Sequence, residues 1–242
     1  MTTDRSKRFP IGLTVATAIA FAILISLGVW QVQRLAWKEA LLARIAALQA
    51  APARPLSKAL TEMAAGGETD FTRVTVVCPG LPRKPFLELY AVRDGEAGLR
   101  LISVCQVADG GYDSILVDRG FVAQTATGRP PINAADATPF TLTGVLRRPD
   151  KPTFVTPPND VARNHWYWRD AQGMAKALGA VKPAPLVLMA ETPTNPDWPA
   201  LVPAPVPIDI PNRHLEYALT WFGLAVALAG VYAAVLWRKW KD

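Results

Sequence analysis

Ile11 to Trp30 runs for 20 positions without a charge, and Tyr217 to Trp237 for 21. At about 1.5 Å per residue, either run forms a helix long enough to cross the ~30 Å apolar core of a bilayer. Basic residues flank both runs and a tryptophan closes each, a pattern of membrane spans rather than of buried core helices. The first run exceeds the ~7–15 apolar residues of a signal peptide and is expected to remain as an anchor. Small residues recur every fourth position, at Gly12, Ala16 and Ala20, at Gly223 and Ala227, and at Gly230 and Ala234. Such stripes let helix backbones approach closely, either each other's or a partner protein's.

Beyond the first run the helical pattern continues. Leu41, Leu42, Ile45 and Leu48 recur at helical spacing, Lys38, Glu39 and Arg44 mark the polar side, and Pro52 and Pro55 stop it. After a linker with Gly66 and Gly67 the period shortens to two. Strands are expected over Phe71–Val77, Phe86–Val92, Leu99–Val107, Ser114–Val122 and Phe140–Arg147, separated by turns such as Pro79-Gly80, Asp94-Gly95 and Asp109-Gly110-Gly111. A short helix near Ala171–Leu178 and a strand at Leu186–Glu191 follow. Strands this close, without helical crossovers between them, predict an antiparallel sheet or small barrel. The proline-rich stretch 193–211 reads as an extended return to the membrane. The expected fold is therefore an α+β membrane protein with two antiparallel transmembrane helices, 11–30 and 217–237. They flank an exported β domain over 31–216, which includes a helical extension at 31–50.

Charge orients this arrangement. Half of the 242 residues are hydrophobic and 19% are charged, with a net charge of +6. The tails 1–10 and 238–242 each carry +2, leaving +2 for everything between, too little for a nucleic-acid face. Short basic tails stay on the cytoplasmic side, so both termini are expected inside and the central domain in a periplasm, or its mitochondrial equivalent in a eukaryote.

The candidate chemistry gathers where the two spans meet the outer surface. Asn212 reads as an N-cap for the second helix. His214, Tyr217, Ala218 and Trp221 then share one helical face: a nitrogen ligand above aromatic rings with a small gap, shaped for a flat macrocycle such as haem. A helix N-terminus favours the neutral imidazole that iron coordination requires. The same histidine also fits an interfacial role, bonding headgroups or backbone, and the residues alone favour that role. Trp30, Arg34 and Trp37 share a face of the first helix, where Arg34 either pairs with a haem propionate or anchors the interface. Cys78 and Cys105 fall in the oxidising compartment, where a disulfide is their simplest use. His165 reads as a surface or packing residue, and Asp118-Arg119-Gly120 as a strand end with a local ion pair. There is no phosphate loop, nucleophile elbow, zinc-protease motif or dinucleotide fingerprint, so no enzymatic activity is expected.

Four segments together resemble the surfeit locus protein family of cytochrome c oxidase assembly factors. They are Gly28-Val29-Trp30-Gln31 with Arg34, Trp37 and Lys38; Leu116 to Val122 with Gly98 upstream; Gly144-Val145-Leu146-Arg147 followed by Trp166 to Asp170; and Asn212 to Phe222. The first and last are the specific ones. Phe121 stands where many members have tryptophan. The resemblance implies two membrane helices around an exported β-rich domain in the inner membrane. It implies a part in maturing subunit I of the haem-copper oxidase, in or near haem a insertion, with haem a synthase as a further candidate partner. His214 matches the family histidine proposed as a haem ligand, which makes it the candidate axial ligand, with Arg34, Tyr217, Trp221 and Trp30 around the haem. The alternative is a membrane scaffold that steadies the oxidase subunit without holding haem.

Overall fold

The structure, a computed structural model, describes residues 9–149, 151–204 and 212–241. The chain divides into two compact units, Met1–Arg44 with Asp209–Asp242 and Ile45–Ile208.

The first unit is a helix pair. α1 spans Ile11–Ala50 without interruption, its last residues passing into the second unit, and α4 spans His214–Lys241. Both are long and apolar enough to cross a membrane, and only 6% of the most apolar window of each is buried, so neither is the core helix of a soluble domain. Thr14 Oγ1 lies 2.6 Å from Tyr232 Oη, Gly28 lies under the Phe222 ring, and Gln31 meets His214. Partners descend along α4 as they ascend along α1, so the helices are antiparallel. Gly28, Gln31, Ala218 and Ala225 are buried between them. The small-residue stripes do not form this contact. Gly12, Gly223 and Gly230 have no neighbour within reach of an added Cβ, and Ala16, Ala227 and Ala234 are exposed.

The second unit is built on one eight-stranded sheet. In chain order its elements are β1 Arg54–Pro55, α2 Leu56–Ala64, β2 Arg73–Val77, a 3-10 turn at Leu81–Arg83, β3 Leu87–Arg93, β4 Glu96–Asp109, β5 Tyr112–Ala123, β6 Thr141–Arg147, β7 His165–Trp166, α3 Ala171–Ala177 and β8 Pro183–Ala190. The spatial order is β1-β2-β6-β8-β5-β4-β3-β7. This corrects the expected antiparallel sheet or small barrel: the sheet is open and mixed. β5 pairs in parallel with β8, β1 with β2 and β3 with β7. The reason is a crossover that the period-two pattern conceals. After β6 the chain passes to the far edge as β7, returns through α3, and inserts β8 between β5 and β6.

A helix covers each face. Leu56, Ala59 and Leu60 of α2, spaced i, i+3 and i+4, bury themselves against Ile115, Val117 and Leu188. α2 itself falls where a linker was expected; Pro55 stops nothing and instead precedes its first turn. On the opposite face Met174 of α3 and the fully buried Trp166 cover Leu116, Val187 and Ile102. Successive residues of β5 and β8 therefore enter different cores, and both strands are buried almost throughout.

Cys78 and Cys105 form a disulfide within the α2-side core, with Cα atoms 5.2 Å apart. Asp118 and Arg119 do not pair with each other, because neighbouring strand residues point to opposite faces. Asp118, wholly buried, takes Arg100 Nε at 2.6 Å and Arg169 at 3.0 Å. Arg119, equally buried, donates to Pro82 O at 2.8 Å and Asn195 Oδ1 at 3.1 Å and has no carboxylate partner among the described residues. Burial lowers its pKa to about 10. Gly120, at φ 128°, lets the returning chain come close: a Cβ there would overlap Val202 O, and Val202 exchanges two backbone bonds with Phe121 at 2.8 and 2.9 Å. Of the proline-rich return, 193–204 are irregular and 205–211 lie outside the described residues, as do tail residues 1–8 and 242.

Candidate functional site

The sequence-derived site lies in the helix pair and rests on a contact between its two elements. His214 is the first residue of α4 and is half-buried. Its Nδ1 lies 2.7 Å from Oε1 of Gln31, which is itself 9% exposed. An amide oxygen only accepts, so Nδ1–H donates, and in the neutral ring the lone pair is then on Nε2. A histidine that ligates a metal is commonly held this way, with its second ring nitrogen bonded to a carbonyl that fixes tautomer and orientation. Gln31 stands in the Gly28-Val29-Trp30-Gln31 segment but was not among the expected site residues. The signal that finds it is its place: an amide at the end of the apolar run, one helical turn from Gly28 and so on the same face.

The capping expectation is corrected. Arg213 O accepts from Tyr217 N at 3.2 Å and so holds the N-cap position. Asn212 precedes it, and its buried Oδ1 has no hydrogen-bond partner among the described residues.

The remaining site residues follow from helix geometry. Gln31 and His214 face each other across antiparallel helices. Residues three positions later on each helix, Arg34 and Tyr217, therefore fall on the same side of that contact, and so does Trp30. Arg34 lies one turn from Gln31 toward the C-terminus of α1, and Tyr217 one turn from His214 toward the interior of α4. Trp30 is 53% and Tyr217 54% exposed, so this side is an open rim rather than an interface. Trp221 is half-buried, while Ala218 is buried between the helices and offers no gap to a ligand. Arg34 stacks on Trp37, with its guanidinium carbon 4.0 Å from the ring centroid. His165, in β7, is exposed; its backbone exchanges bonds with Asp160 at 2.8 and 2.9 Å and pairs with Glu88 of β3.

The shape is a half-buried imidazole with a fixed tautomer, flanked on one side by two aromatic rings and a guanidinium. The donor set fits a single axial nitrogen ligand for a flat, carboxylate-bearing macrocycle.

Comparison with known proteins joins both units. The profile of the SURF1 family matches residues 18–226. Surfeit locus protein 1 of Takifugu rubripes is 29% identical over 235 residues, covering 91% of this chain and 95% of the relative. That of Mus musculus is 30% identical over 222 residues, covering 85% and 70%. A SURF1-like protein of Rickettsia felis is 31% identical over 229 residues, covering 91% and 94%. The match runs through the helix pair and the sheet unit alike, and the chain belongs to the SURF1 family.

Proposed function

We propose that this chain is a non-enzymatic assembly factor of the haem-copper cytochrome c oxidase, working on subunit I in the inner membrane, and that it carries haem a during that maturation. Both termini are cytoplasmic, and the sheet unit lies in the periplasm or its mitochondrial equivalent. The basic tails support this orientation, and so does the disulfide, a bond that persists in oxidising compartments.

The observation that carries the haem reading is the His214–Gln31 hydrogen bond. It occupies Nδ1, so that in the neutral ring Nε2 is the nitrogen with the lone pair an axial ligand needs. Haem is the cargo here, and the chain's residues bind and orient it. His214 would hold the iron. Tyr217 and Trp30 would line the ring, and Trp221 would lie beneath it. Arg34, one turn toward the water side, would meet the propionates, exchanging its stacking on Trp37 for a charge-assisted bond.

The test is purification of the full chain from cells that make haem a. His214→Ala is expected to lose or strongly shift the Soret band, and His165→Ala to keep it. Gln31→Leu should keep the band but weaken retention about 10–100-fold. Equal retention in both histidine variants would overturn the haem reading. One observation favours a scaffold that holds the oxidase subunit without haem. The stripes at Gly12, Gly223 and Gly230 face outward with no described residue packed on them, a surface on which a partner helix can lie closely.

A further inference from the structure

The nine residues 78–86 carry the chain from β2 to β3, past β6, β8, β5 and β4, which lie between those two strands in the sheet. The crossing runs over the face that α2 covers, since Cys78 and Leu81 are both buried in that core. It is fastened to the strands beneath it at three points. Cys78 is bridged to Cys105 of β4, Arg119 of β5 donates to Pro82 O at 2.8 Å, and the Ser103 hydroxyl of β4 donates to Pro85 O at 2.9 Å. A later part of the chain is bonded along it. Cys78 N–H donates to Phe140 O at 2.7 Å, Gly80 N–H to Thr138 O at 2.8 Å, and Asn133 N–H to Arg83 O at 2.8 Å.

Both cysteines are 1% exposed. Thiol–disulfide exchange passes through a mixed disulfide, so an outside sulfur must reach one of the two. The folded sheet unit denies that approach. Leu56, Ala59 and Leu60 of α2, Leu142 of β6 and Leu188 of β8 are buried in the same cluster, and Phe140 packs against it. The bond is therefore made before this core closes. Chain order leaves room for that, because both cysteines precede β6 and β8 and are synthesised before the strands that seal them. Time is short, however. A sheet with such distant pairings folds within roughly milliseconds to seconds, whereas a disulfide forms in about seconds to hours according to its oxidant. A slow oxidant would meet sulfurs already buried, so a dedicated one is required.

We infer that Cys78 and Cys105 are joined by exchange with a thiol–disulfide oxidase of the exporting compartment while α2, β6 and β8 are still unpacked, and that closure of the core then seals the bond against reductants. The inference rests on the orientation proposed above for the sheet unit. The oxidant is the partner's own disulfide. One cysteine thiolate of this chain attacks it, giving a mixed disulfide and releasing one partner thiolate. The second cysteine thiolate attacks the chain's sulfur in that mixed disulfide and expels the other partner thiolate. The chain's two thiols lose two electrons, the partner leaves as a dithiol carrying both protons, and no further co-reactant is needed.

The experiment pulse-labels the full chain in a host that exports such a thiol oxidase and in the same host with that oxidase deleted. Samples are quenched in acid and alkylated in denaturant with a reagent that adds mass at each free thiol. Bridging is expected to be at least about tenfold slower in the deletion host. Cys105→Ala lacks the thiol that resolves the mixed disulfide, so part of it should be recovered as a reductant-sensitive adduct with the thiol oxidase. The double variant Cys78→Ala, Cys105→Ala should give no adduct. In the purified full chain, dithiothreitol should open the bond at least about tenfold faster in denaturant than in detergent alone. Bridging at an unchanged rate in the deletion host, or equal reduction with and without denaturant, would overturn the inference. A reporter active only in the cytoplasm, fused to the C-terminus of the full chain, tests the orientation separately. If it is silent, the orientation reading fails. If it is active and bridging is indifferent to the thiol oxidase, this inference alone fails.

Discussion

The helix pair and the sheet unit bury polar groups in opposite ways. In the sheet unit they sit in clusters with several partners each. Asp118 holds two arginines and the Gly120 N–H, and Arg119 reaches two carbonyls and two side chains. In the helix pair, among the described residues, two side-chain hydrogen bonds join the helices, Thr14–Tyr232 and Gln31–His214. One unit spends its polar groups on fixing a fold, so loss of one member leaves others stranded. The other carries few, and the Gln31–His214 bond sets a tautomer. Mutations should therefore separate into those that unfold the domain and those that leave it intact but change the helix contact.

The largest effect is expected at Asp118. Asp118→Asn removes the carboxylate that compensates Arg100, 13% exposed, and one of the partners of Arg169. Stranding buried cations costs about 3–5 kcal/mol. Chemical unfolding of the full chain in detergent, followed by near-ultraviolet circular dichroism, should show that loss. A shift under about 1 kcal/mol would mean that solvent screens the cluster, which would then rank with surface ion pairs.

The disulfide comes next. Cys78 and Cys105 are 27 residues apart, and closing a loop of that length stabilises by about 3.5 kcal/mol. The double variant Cys78→Ala, Cys105→Ala should lower the domain's stability by that amount and leave the helix contact unchanged. Alkylation of wild-type membranes without reductant should label neither cysteine. Ready labelling of both would refute the bridge in the cell.

What the sequence made legible follows the same division. Length and absence of charge located both helices, but the stripes at Gly12 and Gly223 do not mark the contact between them. A period of four identifies small residues without saying whether a partner lies within or outside the chain; Gly28, Ala218 and Ala225 make the contact. In the sheet unit the strands fell within a few residues of Leu87–Arg93, Tyr112–Ala123 and Thr141–Arg147. Their order stayed hidden, because a strand's alternation does not record its neighbour. A clue was present in the uninterrupted runs Ile115-Leu116-Val117 and Leu186-Val187-Leu188. Strands apolar on both faces are central and covered twice, and so call for helices on each side. α2 was missed because Pro55 was taken as a stop rather than as a start. His214 stood out as one of only two histidines. Gln31 did not, because its meaning depends on a residue 183 positions away.

The smallest effect bears on the helix pair alone. A Cβ at Gly28 would lie 2.5 Å from Cε1 of Phe222, so Gly28→Ala forces that ring aside. Overpacking of this kind costs roughly 1–3 kcal/mol, and the half-buried ring has room to yield, which places the effect at the low end. The sheet unit should keep its unfolding midpoint, since no residue of it is touched. The helix contact should loosen. With Thr14→Cys and Tyr232→Cys in the full chain, cross-linking between the helices by a short thiol-reactive bifunctional reagent, which spans the length of the tyrosine side chain it replaces, reads that contact, and the native cysteines, already bridged, do not compete. Gly28→Ala should slow the cross-link severalfold, and adding Phe222→Leu should restore it, because the shorter side chain vacates the space the methyl needs. Cross-linking that is indifferent to both substitutions would show that the helices do not meet through Gly28 and Phe222. It would also remove the geometric basis for pairing His214 with Gln31, three residues further along α1.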